Sequence, residues 1–296
     1  MREGRASNTA RAVAFFRGVA SHEGSPFGVR DPFAAHLVDG ALAPLLAAAG
    51  RSRLLSRVLR HASLGLFDHL ALRTLAIDAA VERAVARGAR SLVVLGAGLD
   101  ARAYRMACLD DTVAFEVDFP ATQREKRARL GGARPMAREV RFVSVDFERD
   151  SLEERLVASG HEADAPTAWI WEGVTPYLDV RAVLATLDVV DRRSAPGSTL
   201  AVSYVTPDLA RIEPTRARSI ALPKIVEPAL AAAFSVLGEP IRCVLAPREM
   251  AAHLDARGFR VEEDEGSRGW AGRHAAGVAL SPFVVAERVA VAEKRG

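Results

Sequence analysis

Lysine is nearly missing from this chain of 296 residues: Lys126, Lys224 and Lys294 are its only lysines, and the other thirty-seven basic residues are arginines. Against 37 acidic residues they leave a net charge of +3 and a pI near 9.2. That excess is small for the length, and the cations are interleaved with acids rather than run together. The field is too weak to attract a polyanion, so no nucleic-acid partner is expected. Cysteine is as scarce. Cys108 and Cys243 build neither a disulfide framework nor a metal-ligand spacing, which implies a reducing compartment and no metal. Long apolar runs are lacking too. Ala12 to Phe16 is too short for a signal peptide, and Ala41 to Ala49 is nine residues broken by Pro44, far short of a membrane span. A cytoplasmic protein without a membrane is the expectation. Nothing in the composition speaks to oligomeric state.

What is present is apolar material for a real core, 49% of the chain, in one large domain or two modest ones. The first 88 residues read as helices. Val13, Phe16 and Ala20 make one apolar face, and Leu70, Thr74, Ile77, Val81 and Val85 recur at helical spacing. The loop Gly24 to Gly28 leads into Asp31-Pro32-Phe33-Ala34, where Asp31 is a helix cap and Pro32 a first helical residue. From Ser91 the texture changes to short apolar runs that suit strands buried on both faces: Ser91 to Leu95, Val113 to Val117, Val140 to Val145, Ala168 to Trp171 and Leu200 to Val205. Helices are expected after Pro120, after Ser151 and from Asp179, so strand and crossover alternate as in a parallel sheet. Residues 206–246 interrupt the alternation as a lid. Pro247 to Arg257 is then a helix closed by Gly258, and Phe259 to Asp264 and Pro282 to Arg288 form a terminal antiparallel pair. The expected architecture is an α/β, Rossmann-like class I methyltransferase sheet, mostly parallel with an antiparallel last strand. Residues 1–88 form a helical cap and 89–296 the core with its inserted lid.

Gly96-Ala97-Gly98-Leu99-Asp100-Ala101 directly follows the first strand, at the carboxyl edge where open α/β sheets bind ligands. Glu116 and Asp118 end the second strand, and a carboxylate there can accept from ribose hydroxyls. These features mark a nucleoside-cofactor site without naming the cofactor, because the loop also satisfies the G-x-G-x-x-A dinucleotide pattern. A nicotinamide-dependent oxidoreductase and a non-catalytic cofactor-binding protein are the alternatives. Against the first, no tyrosine is followed by lysine four residues on, and Asp100 stands where a pyrophosphate would lie.

Five ordered blocks then resemble the leucine carboxyl methyltransferase family, which includes bacterial polyketide and tetracenomycin-type O-methyltransferases. They are Arg73 to Asp78 (RTLAID), Ser91 to Met106 (SLVVLGAGLDARAYRM), Phe115 to Pro120 (FEVDFP), Phe142 to Phe147 (FVSVDF) and Trp171 to Leu178 (WEGVTPYL). Asp31 to Ala34 fits as well, and the likeness spans residues 9–205 and, more weakly, 247–259. It implies S-adenosyl-L-methionine as cofactor and S-adenosyl-L-homocysteine as product. On that resemblance Arg73 faces the cofactor's carboxylate, where a guanidinium binds bidentately. Gly96, Ala97 and Gly98 line the methionine part. Asp118 holds the ribose, with Glu116 competing for that role. Asp146 accepts from the adenine amino group beside the backbone of Phe147, where the family commonly has leucine. Glu172 meets the ammonium.

Other prominent residues have plainer readings. Arg102 and Arg105 read as helix-surface or ion-pair residues, Asp78 as an arginine's partner, and Trp169, Trp171 and Tyr177 as core. His22, His36, His61 and His69 read singly as surface or satisfied histidines. Methyl transfer to a carboxylate of a small-molecule acceptor needs alignment and no general base, because the acceptor is ionised at neutral pH. A phenol or alcohol would need a base, with those histidines as candidates. No other catalytic residue is indicated. Phe15, Phe16, Phe27, Phe33, Leu222 and Phe234 suggest a greasy acceptor pocket.

Overall fold

The structure, a computed structural model, describes residues 8–22, 25–40, 42–63, 65–147, 149–207, 241–280 and 286–296. Its frame is a seven-stranded sheet: β1 (Ser91–Leu95), β2 (Val113–Asp118), β3 (Glu139–Ser144), β4 (Thr167–Trp171), β5 (Thr199–Val205), β6 (Phe259–Glu265) and β7 (Glu287–Lys294). The spatial order is β3-β2-β1-β4-β5-β7-β6. β1 to β5 are mutually parallel, and β7 runs antiparallel to both β5 and β6. The chain moves outward from β1 to β3 and then returns to place β4 on the other side of β1. That reversal opens a crevice at the carboxyl ends of β1 and β4, the switch point where such sheets take ligands.

Eleven α-helices accompany the sheet among the described residues: α1 (Asn8–Ala20), α2 (Ala34–Leu37), α3 (Leu42–Arg51), α4 (Arg53–Ala62), α5 (Leu66–Ala86), α6 (Arg102–Arg105), α7 (Pro120–Leu130), α8 (Leu152–Ala158), α9 (Val180–Arg192), α10 (Pro247–Asp255) and α11 (Ser267–His274). Several starts are dictated locally. Ser151 Oγ accepts from Glu154 N, Asp179 Oδ1 accepts from Ala182 N, and Pro120 opens α7 where its missing N–H costs nothing. Asp31 Oδ1 accepts from the Phe33 and Ala34 N–H groups and so caps the entry to α2.

Two expectations shift. The last strand begins at Glu287 and ends at Lys294, so only the tail of the expected Pro282 to Arg288 run belongs to it; residues 281–285 lie outside the described residues. Its small apolar centre, Val289 to Ala292, fits between two neighbours and is buried. On α1 Ala20 is buried as expected, together with Ala14, Phe15 and Val19, while Val13 and Phe16 are half-buried. The helix packs against α2, α3 and α5 together, so a single stripe does not describe it. Of the expected lid, residues 208–240 lie outside the described residues.

Candidate active site

Gly96 and Gly98 hold left-handed backbone, with φ of +68° and +47°, which lets the chain turn sharply off β1. Between them Ala97 N–H bonds to Val117 O at 2.9 Å and ties the loop to β2. A Cβ on Gly96 would stand 2.3 Å from Val174 Cγ2, so only glycine lets the loops after β1 and β4 meet. Ala10 of α1 covers Gly98 on its other side.

Asp118, at the end of β2, closes this loop. Its Oδ2 accepts from Gly98 N at 2.5 Å and its Oδ1 from Phe119 N at 2.6 Å. Burial raises its pKa, and the two N–H groups only partly oppose that. Glu116 points the same way but lies deeper, 2.6 Å from Lys126 Nζ of α7, with both groups buried. Of the two acids expected to compete for a ribose, Glu116 is thus engaged inside the sheet, and Asp118 stands at the loop.

Beneath the loop lies a layer of buried ions. Arg102 is fully enclosed, so it is no surface residue. Its Nε donates to Asp78 Oδ1 at 2.7 Å, its Nη1 donates to Glu172 Oε2 at 2.7 Å, and Nη1 also bonds Asp100 Oδ2. Arg105 completes the pairing of Asp78. Arg73, from α5, donates through Nε to Glu172 Oε1 at 2.9 Å and through Nη1 to Glu287 Oε2 at 2.6 Å. This corrects the bidentate fork that the resemblance implies. Two of the three guanidinium nitrogens are taken by protein carboxylates, leaving Nη2 beside Gly173. Glu172 likewise has each oxygen on an arginine. Burial pushes its pKa up, but Arg102 and Arg73 outweigh that and hold it ionised.

The remaining expected residues are more dispersed. Asp146 follows β3, partly exposed, with its N–H on Asp150 Oδ2 at 2.9 Å, and Phe147 packs half-buried on the core. His69 is buried, with Nδ1 on Ser267 Oγ and Nε2 on Glu287 Oε2, both at 2.7 Å. His36 and His61 are exposed, and His22 lies against the backbone of Gly50. Phe15, Phe16 and Phe27 join Phe67 in edge and tilted ring contacts 5.5–6.2 Å apart, so these rings fill one another's space instead of lining an open pocket. Phe33 packs on Tyr104. Leu222 and Phe234 lie outside the described residues. Trp169 and Trp171 are core, as read from the sequence.

Sequence reasoning missed Arg17, Ser267 and Glu287. Arg17 Nη2 donates to Leu99 O at 2.5 Å while Nε faces Asp31 Oδ2 at 3.0 Å, pinning α1 onto the glycine loop. Glu287 and Ser267 carry no local signal at all.

The nicotinamide reading loses its physical basis here. The helix after the glycines, α6, is four residues long and preceded by the buried carboxylate of Asp100, so it offers a pyrophosphate no helix N-terminus.

Comparison with known proteins agrees. The family model of leucine carboxyl methyltransferase matches residues 10–191. A relative from Mycolicibacterium gilvum, named by inference as an S-adenosyl-L-methionine-dependent methyltransferase, is 37% identical over 73% of this chain and 71% of its own. One from Mycolicibacterium smegmatis with the same kind of name is 38% identical over 71% of this chain and 70% of its own. Among solved structures, a DUF574 family protein from Streptomyces avermitilis superposes with a TM-score of 0.61 at 16% identity, covering 98% of both chains. A protein from Thermobifida fusca described as a candidate methyltransferase gives 0.60 at 16% identity, covering 99% of this chain and 96% of that one. Those two likenesses speak for the fold. With the family match spanning more than half of the chain, the protein belongs to the leucine carboxyl methyltransferase family and is an S-adenosyl-L-methionine-dependent methyltransferase.

Proposed function

We propose that the protein is an O-methyltransferase that methylates the carboxylate of a small or medium-sized organic acid, with α1 to α4 as a cap over the crevice. The observation that carries this reading is the state of the histidines. Of the four N-terminal histidines, His69 is buried with both ring nitrogens committed, His22 lies half-buried against Gly50, and His36 and His61 face solvent. An ionised carboxylate acceptor is the case in which no base is needed.

The residues present suit the cofactor. Arg102 Nη2 is buried without a hydrogen-bond partner, and Arg73 Nη2 lies beside Gly173, so the crevice turns cationic nitrogens toward a carboxylate. Asp118 offers an acceptor at the end of β2 for a ribose diol, and Asp146 and Phe147 follow β3 for the adenine. Glu172 supplies negative charge for an ammonium. The chemistry supplied by bound S-adenosyl-L-methionine is a methyl group on a sulfonium that carries its own neutral leaving group. What the chain contributes is placement. Its arginines and Asp118 fix the donor end, and the cap excludes water and holds the acceptor oxygen about 3 Å from the methyl carbon, in line. Localisation in the cytoplasm and the absence of a nucleic-acid partner belong to the same reading.

The test is transfer of labelled methyl from S-adenosyl-L-methionine to a set of aliphatic and aromatic carboxylic acids, with matched phenols beside them. Base-labile methyl ester from the acids alone is the expected result. Base-stable label on the phenols alone would overturn the carboxylate reading.

A further inference from the structure

Arg73 is gripped from two sides, and the second grip comes from the far end of the chain. Glu287 opens β7, 214 positions from Arg73, and its Oε2 receives both Arg73 Nη1 at 2.6 Å and His69 Nε2 at 2.7 Å. His69 stands one helical turn before Arg73 on α5, and its other nitrogen is fixed by Ser267 Oγ at the start of α11. The Ser203 hydroxyl of β5 also bonds to Glu287, and the same oxygen accepts from Gly173 N at 2.8 Å. Gly173 in turn is the residue beside Arg73 Nη2. All of these side chains are buried.

Burying a carboxylate, an imidazole and a guanidinium is costly, and packed apolar residues would hold α5 to the sheet as well or better. The arrangement does something apolar residues would not. With Nε on Glu172 and Nη1 on Glu287, the guanidinium cannot rotate about its last bonds, and its third nitrogen has one direction left. An unrestrained arginine would have to surrender that freedom at each binding event, which weakens binding.

We infer that Glu287, braced by His69 and Ser267, is a positioning residue that aims Arg73 Nη2 at the carboxylate of the cofactor's amino-acid part. The inference rests on the reading of Arg73 as the residue that faces that carboxylate. It makes Ser267 and Glu287, outside the 10–191 stretch that carries the family match, part of the cofactor site.

The experiment is calorimetric titration with two ligands that differ in the amino-acid part alone. S-adenosyl-L-homocysteine has it, and 5′-methylthioadenosine lacks it. Glu287→Gln keeps the shape and removes the charge, and it is expected to weaken S-adenosyl-L-homocysteine binding about tenfold while leaving 5′-methylthioadenosine unchanged. Ser267→Ala, a milder change that carries the test if Glu287→Gln does not fold, is expected to give about threefold with the same selectivity. Arg73→Gln is titrated in parallel. Equal weakening of both ligands in the Glu287 and Ser267 variants would make their role structural and overturn the inference. No weakening in them while Arg73→Gln loses S-adenosyl-L-homocysteine affinity would overturn it and leave Arg73 in place. Unchanged S-adenosyl-L-homocysteine binding in Arg73→Gln would remove the reading of Arg73 itself.

Discussion

On the face of the sheet covered by α8, α9 and α10, the strands present Phe115, Trp169, Trp171, Leu200 and Tyr204; on the face covered by α5 they present Ala114, Ala168 and Ala201 beside the aliphatic Leu92, Val94 and Ile170. Large strand residues meet Leu152, Leu156, Val183, Leu187, Val190, Met250 and Leu254 and form a plain apolar layer. Small strand residues let the 21-residue α5 come close to the sheet and bring His69 and Arg73 against the strand ends. Glu287 and Ser203 lie on that second face by the same alternation, since β7 buries Val289 and Val291 there and β5 buries Ala201. The first face stabilises. The second exchanges some of that stability for fixed charges beside the crevice, which is where a zwitterionic cofactor needs them.

The strongest way to break this contrast is to remove one residue from each face. Arg102→Met leaves Asp78, Asp100 and Glu172 short of their cation, and a loss of about 3–5 kcal/mol in urea unfolding is expected together with loss of S-adenosyl-L-homocysteine binding. Leu187→Ala on the apolar face should cost about 2–5 kcal/mol, yet the variant that remains folded should bind the ligand as the parent does. If both variants lose binding equally, the faces do not divide the labour.

How much of this could be read from residues differs between the faces as well. The apolar face was legible, because Ser91 to Leu95 and Ala168 to Trp171 announce buried strands by unbroken apolar runs and Ser151, Asp179 and Pro120 mark the helix starts. The glycine loop and Asp118 were legible because they are close in sequence to β1 and β2. The ion layer was legible only in part. Asp78 as an arginine's partner and Arg102 and Arg105 as ion-pair residues could be read, but a four-residue helix has no periodicity to show that Arg102 is buried. Glu287 was invisible because its partners come from α5 and α11, and its strand was placed too early by the apolar Phe283 to Ala286. Pairings that span some 200 positions leave no local trace, and they are the part of the site that tertiary structure adds.

A smaller effect sharpens the same contrast through pH. Burial works to raise the pKa of Glu287, but Arg73 and His69 outweigh it and hold the carboxyl at about 2 against an ordinary 4.5. A carboxylate depressed in the folded state contributes stability that is whole above its unfolded pKa and is lost as pH falls through the folded one. Melting temperature should therefore drop between pH 4.5 and about 2 more steeply in the parent than in Glu287→Gln. Parallel curves would mean that the grip on Arg73 adds nothing to the fold.

We propose that the crevice at the ends of β1, β2 and β4 holds S-adenosyl-L-methionine with Asp118 on its ribose. Calorimetric titration of S-adenosyl-L-homocysteine into the parent and into folded Asp118→Ala tests it most directly. Saturable binding by the parent and a loss of about ten- to a hundredfold in the variant, the worth of hydrogen bonds to a charged acceptor, is the result expected. Equal affinity in the two proteins would remove Asp118 from the ribose.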